Sequence, residues 1–372
     1  MHPSPLSSLV EEGLGKSLSD KNMASSDDEL APFVLKNVEG LDAGERKGSG
    51  AYGAVYEVTV DGVTCIAKRL HDILVDPLVA AKEKVYIQDK FRNECVLLSK
   101  LRHPHIVHFV GVHYGENLSL IMERLRTDLA SLLEDNFAKE ITIPLSIKLS
   151  ILLDVSYGLL YLHTHTPTII HRDLTAPNIL VTDDMRAKIA DLGVSKLLDP
   201  HTQAAKAQTR GPGTYFYMPP EALRERALYS CKLDIFSFGH LMLYTVNQEF
   251  PQVHEVTVYH PGINDMQIQK RSEAFAKMGN KHCLHPLATK CLRDIPEQRP
   301  STYELNGSLK WLCTSNPRSV AEFSNERGKV CAWCFEVYMQ VSNGLWQIHS
   351  NVYEHARPHN VLSATEKVTL HN

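Results

Sequence analysis

Asp173, Asn178 and Asp191 are the residues whose types and spacing point most directly to chemistry, and all three lie in one stretch, His171 to Gly193, HRDLTAPNILVTDDMRAKIADLG. Beyond Asn178, Ile179 to Val181 reads as a short apolar strand, Thr182-Asp183-Asp184 as a turn, and Ala187 to Ala190 as a returning strand. A hairpin of that kind brings Asp191 back beside Asn178. An amide oxygen next to a carboxylate is a pair of hard oxygen ligands suited to Mg2+, which keeps some of its waters and shares the rest of its shell with substrate phosphates. Asp173 then faces an attacking hydroxyl, whose proton a carboxylate can accept.

These residues need elements to position them. Ser146 to His163 carries Ile147, Ile151, Leu152, Val155, Leu159 and Leu162 on a broad apolar face, the pattern of a core helix leading into the loop. Further upstream, Gly48-Ser49-Gly50-Ala51-Tyr52-Gly53 runs into Ala54 to Val60, which alternates as a strand. In a dinucleotide fold a glycine pattern of this type opens a helix. Here Asp61-Gly62 marks a hairpin and a second strand runs from Val63 to Leu70, so the glycines form a flap whose backbone N–H groups can approach phosphate oxygens. Lys68 stands on that second strand, where a lone lysine is usually solvated. The helical stretch Lys90 to Leu101, with Phe91, Leu97, Leu98 and Leu101 on one stripe, offers Glu94 as its partner. Ile106 to Val112 and Leu118 to Met122 read as two more strands of the same sheet.

In these residues the chain resembles the eukaryotic protein kinases. His171 to Asn178 matches the catalytic-loop pattern H-R-D-L-x-x-x-N, Asp191-Leu192-Gly193 stands where the family has D-F-G, and Cys65-Ile66-Ala67-Lys68 where it has V-A-I-K. Pro219-Pro220-Glu221 resembles A-P-E, and Asp234 to Gly239 the buried central helix of the larger lobe. The resemblance implies an α+β bilobal fold over residues 33–313: a small antiparallel-sheet lobe with one helix (33–122), a hinge (123–125) and a mainly helical lobe (126–313), with ATP between the lobes. It implies Asp173 as catalytic base, Lys68 held by Glu94 as phosphate clamp, and Asn178 and Asp191 as Mg2+ ligands. The nucleotide would meet Gly48, Ser49, Gly50, Ala51, Tyr52, Gly53, Val55, Ala67, Lys68, Met122, Glu123, Leu125 and Leu180. Arg299 would pair with Glu221 as a structural ion pair.

The implied reaction is transfer of the ATP γ-phosphoryl group to a protein substrate. Thr175 and Pro177 match neither the lysine usual in serine/threonine kinases nor the arginine usual in tyrosine kinases. Gly213-Thr214 before Tyr217-Met218 resembles the substrate-side loop of serine/threonine enzymes, including the tyrosine-kinase-like group. Serine/threonine transfer in intracellular signalling is therefore the expectation, with a tyrosine kinase or a catalytically weak scaffold as alternatives. Arg172, directly before Asp173, suggests activation by a phosphate on the following segment. Thr209, between Lys206 and Arg210, is the expected acceptor.

Composition sets outer bounds. The chain has 372 residues, 43% hydrophobic and 22% charged, which is ordinary globular usage. A net charge of −4 gives no overall pull toward nucleic acid or anionic lipid, and no apolar run approaches the length of a membrane span. The first residues lack a secretory pattern, and eight scattered cysteines fit a reducing, cytoplasmic setting. Residues 1–32 read as a disordered lead-in. In the extension 314–372, Cys331, Cys334, His349 and His355 stand at the loose edge of a zinc-finger spacing, and the same stretch reads equally as an amphipathic segment packing on the larger lobe.

Overall fold

The computed structural model describes residues 29–41, 46–50, 53–70, 81–115, 118–138, 142–193, 195–197, 205–206, 217–223, 228–248 and 263–315. These residues fall into two compact units, one drawn from Met1–Leu101 and His108–Arg124, the other from Arg102–Val107 and Leu125–Asn372.

The first unit is built on strands β1 (Arg46–Gly50), β2 (Gly53–Val60) and β3 (Val63–Arg69), helix α1 (Ala81–Lys100), and strands β4 (Phe109–Tyr114) and β5 (Leu118–Glu123). The strands form one antiparallel sheet in the order β1-β2-β3-β5-β4. Asp61 and Gly62 both have positive φ, 49° and 78°, which is the conformation a two-residue hairpin with the right twist requires. Alternation then sorts β3. Cys65 and Ala67 pack with Leu41, Val58, Val60 and Ile121 on one face, while Lys68, one residue on, points to the other. Along α1, Phe91, Glu94, Cys95 and Leu98 are buried at helical spacing. That helix starts well before the expected Lys90, at Ala81.

Order in this unit starts slightly earlier than the 33 boundary. Leu30 is fully buried ahead of a 3-10 turn at Ala31–Phe33, and Leu35 N donates to Val112 O at 2.8 Å. Residues 1–28 lie outside the described residues.

The second unit carries β6 (Thr127–Asp128), α2 (Leu129–Ala138), α3 (Leu145–Thr164), β7 (Ile169–Ile170), β8 (Ile179–Val181), β9 (Ala187–Ile189), β10 (Lys196–Leu197), β11 (Ala205–Lys206), β12 (Leu228–Tyr229), α4 (Lys232–Asn247), α5 (Ile263–Met278), α6 (His285–Cys291) and α7 (Thr302–Ser315). Three of the strands pair as β6-β8-β9, and β10 pairs with β7 and β11 with β12. The six residues expected on the apolar face of α3 are all buried. Residues Leu233 to Thr245 of α4 are buried without interruption, so this helix is core on every side.

Two expectations are corrected. Ile106 and Val107 are not part of β4: Val107 N donates to Ile189 O and Ile189 N to His105 O, both at 2.9 Å, so this part of the run joins the second unit. An uninterrupted apolar run shows burial but not which sheet receives it. Nor is α3 too short or too polar to cross a membrane, since by length and composition alone it could. It is a core helix, mostly buried, with Lys148 and Asp154 among its buried residues.

Candidate active site

In the first unit the sheet fixes Lys68 from both sides, opposite Val55 of β2 and Leu120 of β5. Its Nζ donates to both carboxylate oxygens of Glu94 at 3.0 Å, and both residues are buried. A charge on the inner face of a sheet is tolerable only with such a partner. The glycine stretch is a strand pair: Gly48 lies opposite Val55 and Gly50 opposite Gly53, with Ala51 and Tyr52 at the tip outside the described residues. Ala67 is fully buried. Met122 lies opposite Ile66 and Phe109. Glu123, opposite Cys65, ends β5, donating its N–H to His108 O at 3.1 Å and accepting from His108 N through Oε1 at 2.6 Å.

In the second unit the hairpin of β8 and β9 has Ile179 opposite Ile189, and Ala190 N donates to Asn178 O at 2.9 Å. That bond sets Asp191 one residue beyond Asn178's partner. Asn178 Nδ2 donates to Asp173 twice, to its backbone O at 2.8 Å and to Oδ2 at 3.0 Å. With the amide nitrogen so engaged, the amide oxygen is the atom left to meet a cation. Asp191 has φ 57°, a left-handed conformation that aspartate tolerates better than most residues, and its Oδ1 accepts from Gly193 N at 3.3 Å. Leu192 is buried, as its apolar type requires. Leu180 lies opposite Asp128 and Lys188, and Leu125 is half-buried where the unit begins.

The loop before Asp173 is held from beneath. His171 N and Arg172 N donate to the two carboxylate oxygens of Asp234, at 2.9 and 2.8 Å, which secures Arg172 in its left-handed conformation of φ 71°. His171 Nε2 lies 2.9 Å from Ala190 O, joining this loop to the residue before Asp191. Asp234 Oδ2 also meets His163 Nε2 at 2.8 Å, and His163 Nδ1 meets Thr302 Oγ1 at 2.6 Å. Burial alone would lower the His163 pKa, but the hydrogen bond and charge of Asp234, helped by Cys231, raise it to about 9. His163 is thus an imidazolium with two acceptors for its two N–H groups. Burial opposes ionisation of Asp234, yet His163 and the loop N–H groups hold its pKa below the usual carboxylate range. A second buried carboxylate, Asp154 of α3, accepts a bidentate fork from Arg186 at 2.7 and 2.6 Å and the Ala187 N–H at 3.0 Å, fixing the start of β9.

Comparison with known sequences agrees with this geometry. The family model described as protein tyrosine and serine/threonine kinase matches residues 41–309. The chain belongs to that family. Among curated relatives, the dual specificity protein kinase shkA of Dictyostelium discoideum is 29% identical over 77% of this chain and 52% of its own length. The probable serine/threonine-protein kinase SIS8 of Arabidopsis thaliana is 30% identical over 80% of this chain and 27% of its own. A G-type lectin S-receptor-like serine/threonine-protein kinase of Arabidopsis thaliana, CES101, is 34% identical over 63% of this chain and 27% of its own. The chain thus spans about half or less of the length of these relatives.

For a protein kinase domain the donor set fits Mg2+. Asn178 and Asp191 offer hard oxygens, and no group of three or more His, Cys, Asp or Glu side chains that could hold a metal occurs among the described residues. Two protein oxygens, completed by water and phosphate, are how Mg2+ is commonly bound. The residues that sequence reasoning misses are supports: in the sequence Asp234 is only part of a buried helix, and neither His163 nor the Asp154–Arg186 pair stands out. The one available signal was ionisable types inside otherwise apolar helices, a polar residue that burial demands be paired. Thr209, Arg210 and Thr214, and the zinc candidates Cys331, Cys334, His349 and His355, lie outside the described residues.

Proposed function

We propose that this protein is an ATP-dependent protein kinase that uses Mg2+ to transfer the γ-phosphoryl group of ATP to serine and threonine hydroxyls of protein substrates in intracellular signalling. The observation that carries the reading is the buried Lys68–Glu94 pair, 3.0 Å at both oxygens. A scaffold has no need of an ammonium locked on the inner face of a sheet; a phosphate clamp does. Lys68 donates to nucleotide phosphate oxygens, and the flap glycines present backbone N–H groups. Because the Glu123 N–H is taken by His108, the adenine edge meets the carbonyl of this residue. Asp173, oriented by Asn178, accepts the proton of the attacking hydroxyl. Asn178 and Asp191 would hold Mg2+, whose charge would offset that of the phosphates. Serine/threonine transfer agrees with the printed names of SIS8 and CES101, and the name of shkA makes tyrosine the second product to look for. A cytoplasmic setting rests on cysteine usage, every described cysteine being a free thiol.

The test is to incubate the full chain with labelled ATP, Mg2+ and a mixed peptide library, and to identify the labelled amino acid. Phosphoserine and phosphothreonine are expected, with Asp191→Asn lowering the rate on the order of 100-fold or more. Phosphotyrosine alone would replace the serine/threonine reading. Equal labelling by wild type and Asp191→Asn would remove the assigned metal site, and no labelling by wild type would leave the scaffold.

A further inference from the structure

Helix α7 is amphipathic in an uneven way. Its inner side is settled: Thr302, Leu305, Asn306 and Leu309 are buried, Asn306 Nδ2 donates to Ser156 Oγ of α3 at 2.8 Å, and Thr302 meets His163. The outer side carries Tyr303 and Trp311, 68% and 66% exposed, with Gly307 midway between them. Positions 303, 307 and 311 are four apart and share one face. Gly307 is the odd member. Glycine is among the poorest helix formers, and a Cβ at this position would meet nothing within 4 Å. Two exposed aromatics therefore flank a notch that nothing among the described residues fills.

We propose that the chain's own C-terminal segment, residues 330–341, docks on this face, with a side chain seated in the Gly307 notch between Tyr303 and Trp311. Three observations select that occupant. The first is chemistry: the protein has three tryptophans, Trp311 on this face and Trp333 and Trp346 in the C-terminal segment. Val330, Trp333, Cys334, Val337, Tyr338 and Val341 stand at the spacing of one helical face, with Lys329, Glu336, Gln340 and Asn343 on another. The second is reach. Fourteen residues, 316 to 329, separate the end of α7 from Val330 and can extend about 45 Å. The return from Ser315 to Tyr303 is only about 18 Å along the helix. The third is area. Two aromatic side chains bury at most about 500 Å², well short of the roughly 800 Å² per partner of a stable interface between separate molecules. A tethered segment needs less, because its effective concentration is already in the millimolar range.

Trp311 can report on its own cover. In the full chain carrying Trp333→Phe and Trp346→Phe it is the sole tryptophan, and its emission maximum and acrylamide quenching can be read directly. The expected result is blue-shifted emission and quenching several-fold weaker than that of a free tryptophan amide. Adding Val337→Asp and Tyr338→Asp should return both to the free values. Gly307→Glu, which favours the helix and fills the notch, should do the same without touching the segment, with circular dichroism confirming the fold of each variant. Free quenching in the sole-tryptophan protein, or shielding that survives both sets of changes, would overturn the proposal. Shielding that grows with protein concentration would overturn it in favour of a second copy on this face.

Discussion

At the scale of single residues, what distinguishes this protein is how many ionised groups it buries and how each is answered. Lys68 and Glu94 are the simplest case, with side chains 11% and 2% exposed. Removing one partner strands the other's charge, so Glu94→Leu should destabilise by about 3 to 5 kcal/mol, whereas Lys68→Met combined with Glu94→Leu should recover most of that loss. Phosphoryl transfer should stay absent in both. Urea midpoints read beside activity separate the two effects, and a double variant no more stable than Glu94→Leu would contradict the pairing. His163 gives a pH signature. Its pKa is raised in the folded state from 6.5 to about 9, so its contribution is fully present below pH 6.5 and is lost as pH rises toward 9. The size is on the order of 3 kcal/mol. Asp234 runs the other way: its pKa is lowered, so its contribution is fully present above the ordinary carboxylate pKa and is lost as pH falls below it toward the lower folded value. Unfolding measured from pH 6 to 9.5 should therefore show a decline in stability that His163→Gln flattens.

Among the elements, α3 does most of the positioning, because it carries Asp154 and His163 and lies against β9. Gly158 makes the close approach possible: a Cβ there would stand 2.6 Å from His105 O and 2.9 Å from Ile189 Cδ1. Gly158→Ala should raise helix propensity and still destabilise, by about 1 to 3 kcal/mol, because a backbone carbonyl cannot move aside as a side chain can. A thermal melt at or above that of wild type would show that β9 can shift. The same elements show what a sequence makes legible. The apolar face of α3 was readable because six positions repeat at helical spacing, and the Asp61-Gly62 hairpin because only a few residue pairs take positive φ twice. The strands β6, β7, β10, β11 and β12 were not, since two residues carry no period. Within the candidate site, the groups proposed for the reaction stand in compact runs and could be picked out from spacing. Asp234, 61 residues beyond Asp173 in the chain, could not, because its role arises only when α4 is packed beneath the loop.

For the molecule as a whole, each unit carries its own share of the proposed site: Lys68, Glu94 and the glycine flap in one, Asp173, Asn178 and Asp191 in the other. The larger unit needs a tie between stretches remote in sequence, and Arg299 supplies it. Its guanidinium lies over the Phe236 ring, 4.8 Å from the centroid, and its side chain is 0% exposed. Five hydrogen bonds leave it: Nη1 to Glu221 Oε1 at 2.5 Å and Lys232 O at 3.0 Å, Nη2 to Glu221 Oε2 at 2.8 Å and Asp294 O at 3.1 Å, and Nε to Arg293 O at 2.7 Å. Every N–H of the fork is thus used, and by acceptors from several separate parts of the chain. Arginine here cannot be replaced by another cation, since an ammonium has three donors on one point and no plane to lie against Phe236. Arg299→Lys should therefore cost about 3 kcal/mol or more despite keeping the charge. Glu221→Gln, which leaves the buried guanidinium without its anion and sets an amide NH2 against one of its N–H groups, should cost a comparable amount. Equal melting of Arg299→Lys and wild type would mean that charge alone, and not the planar fork, holds these segments together.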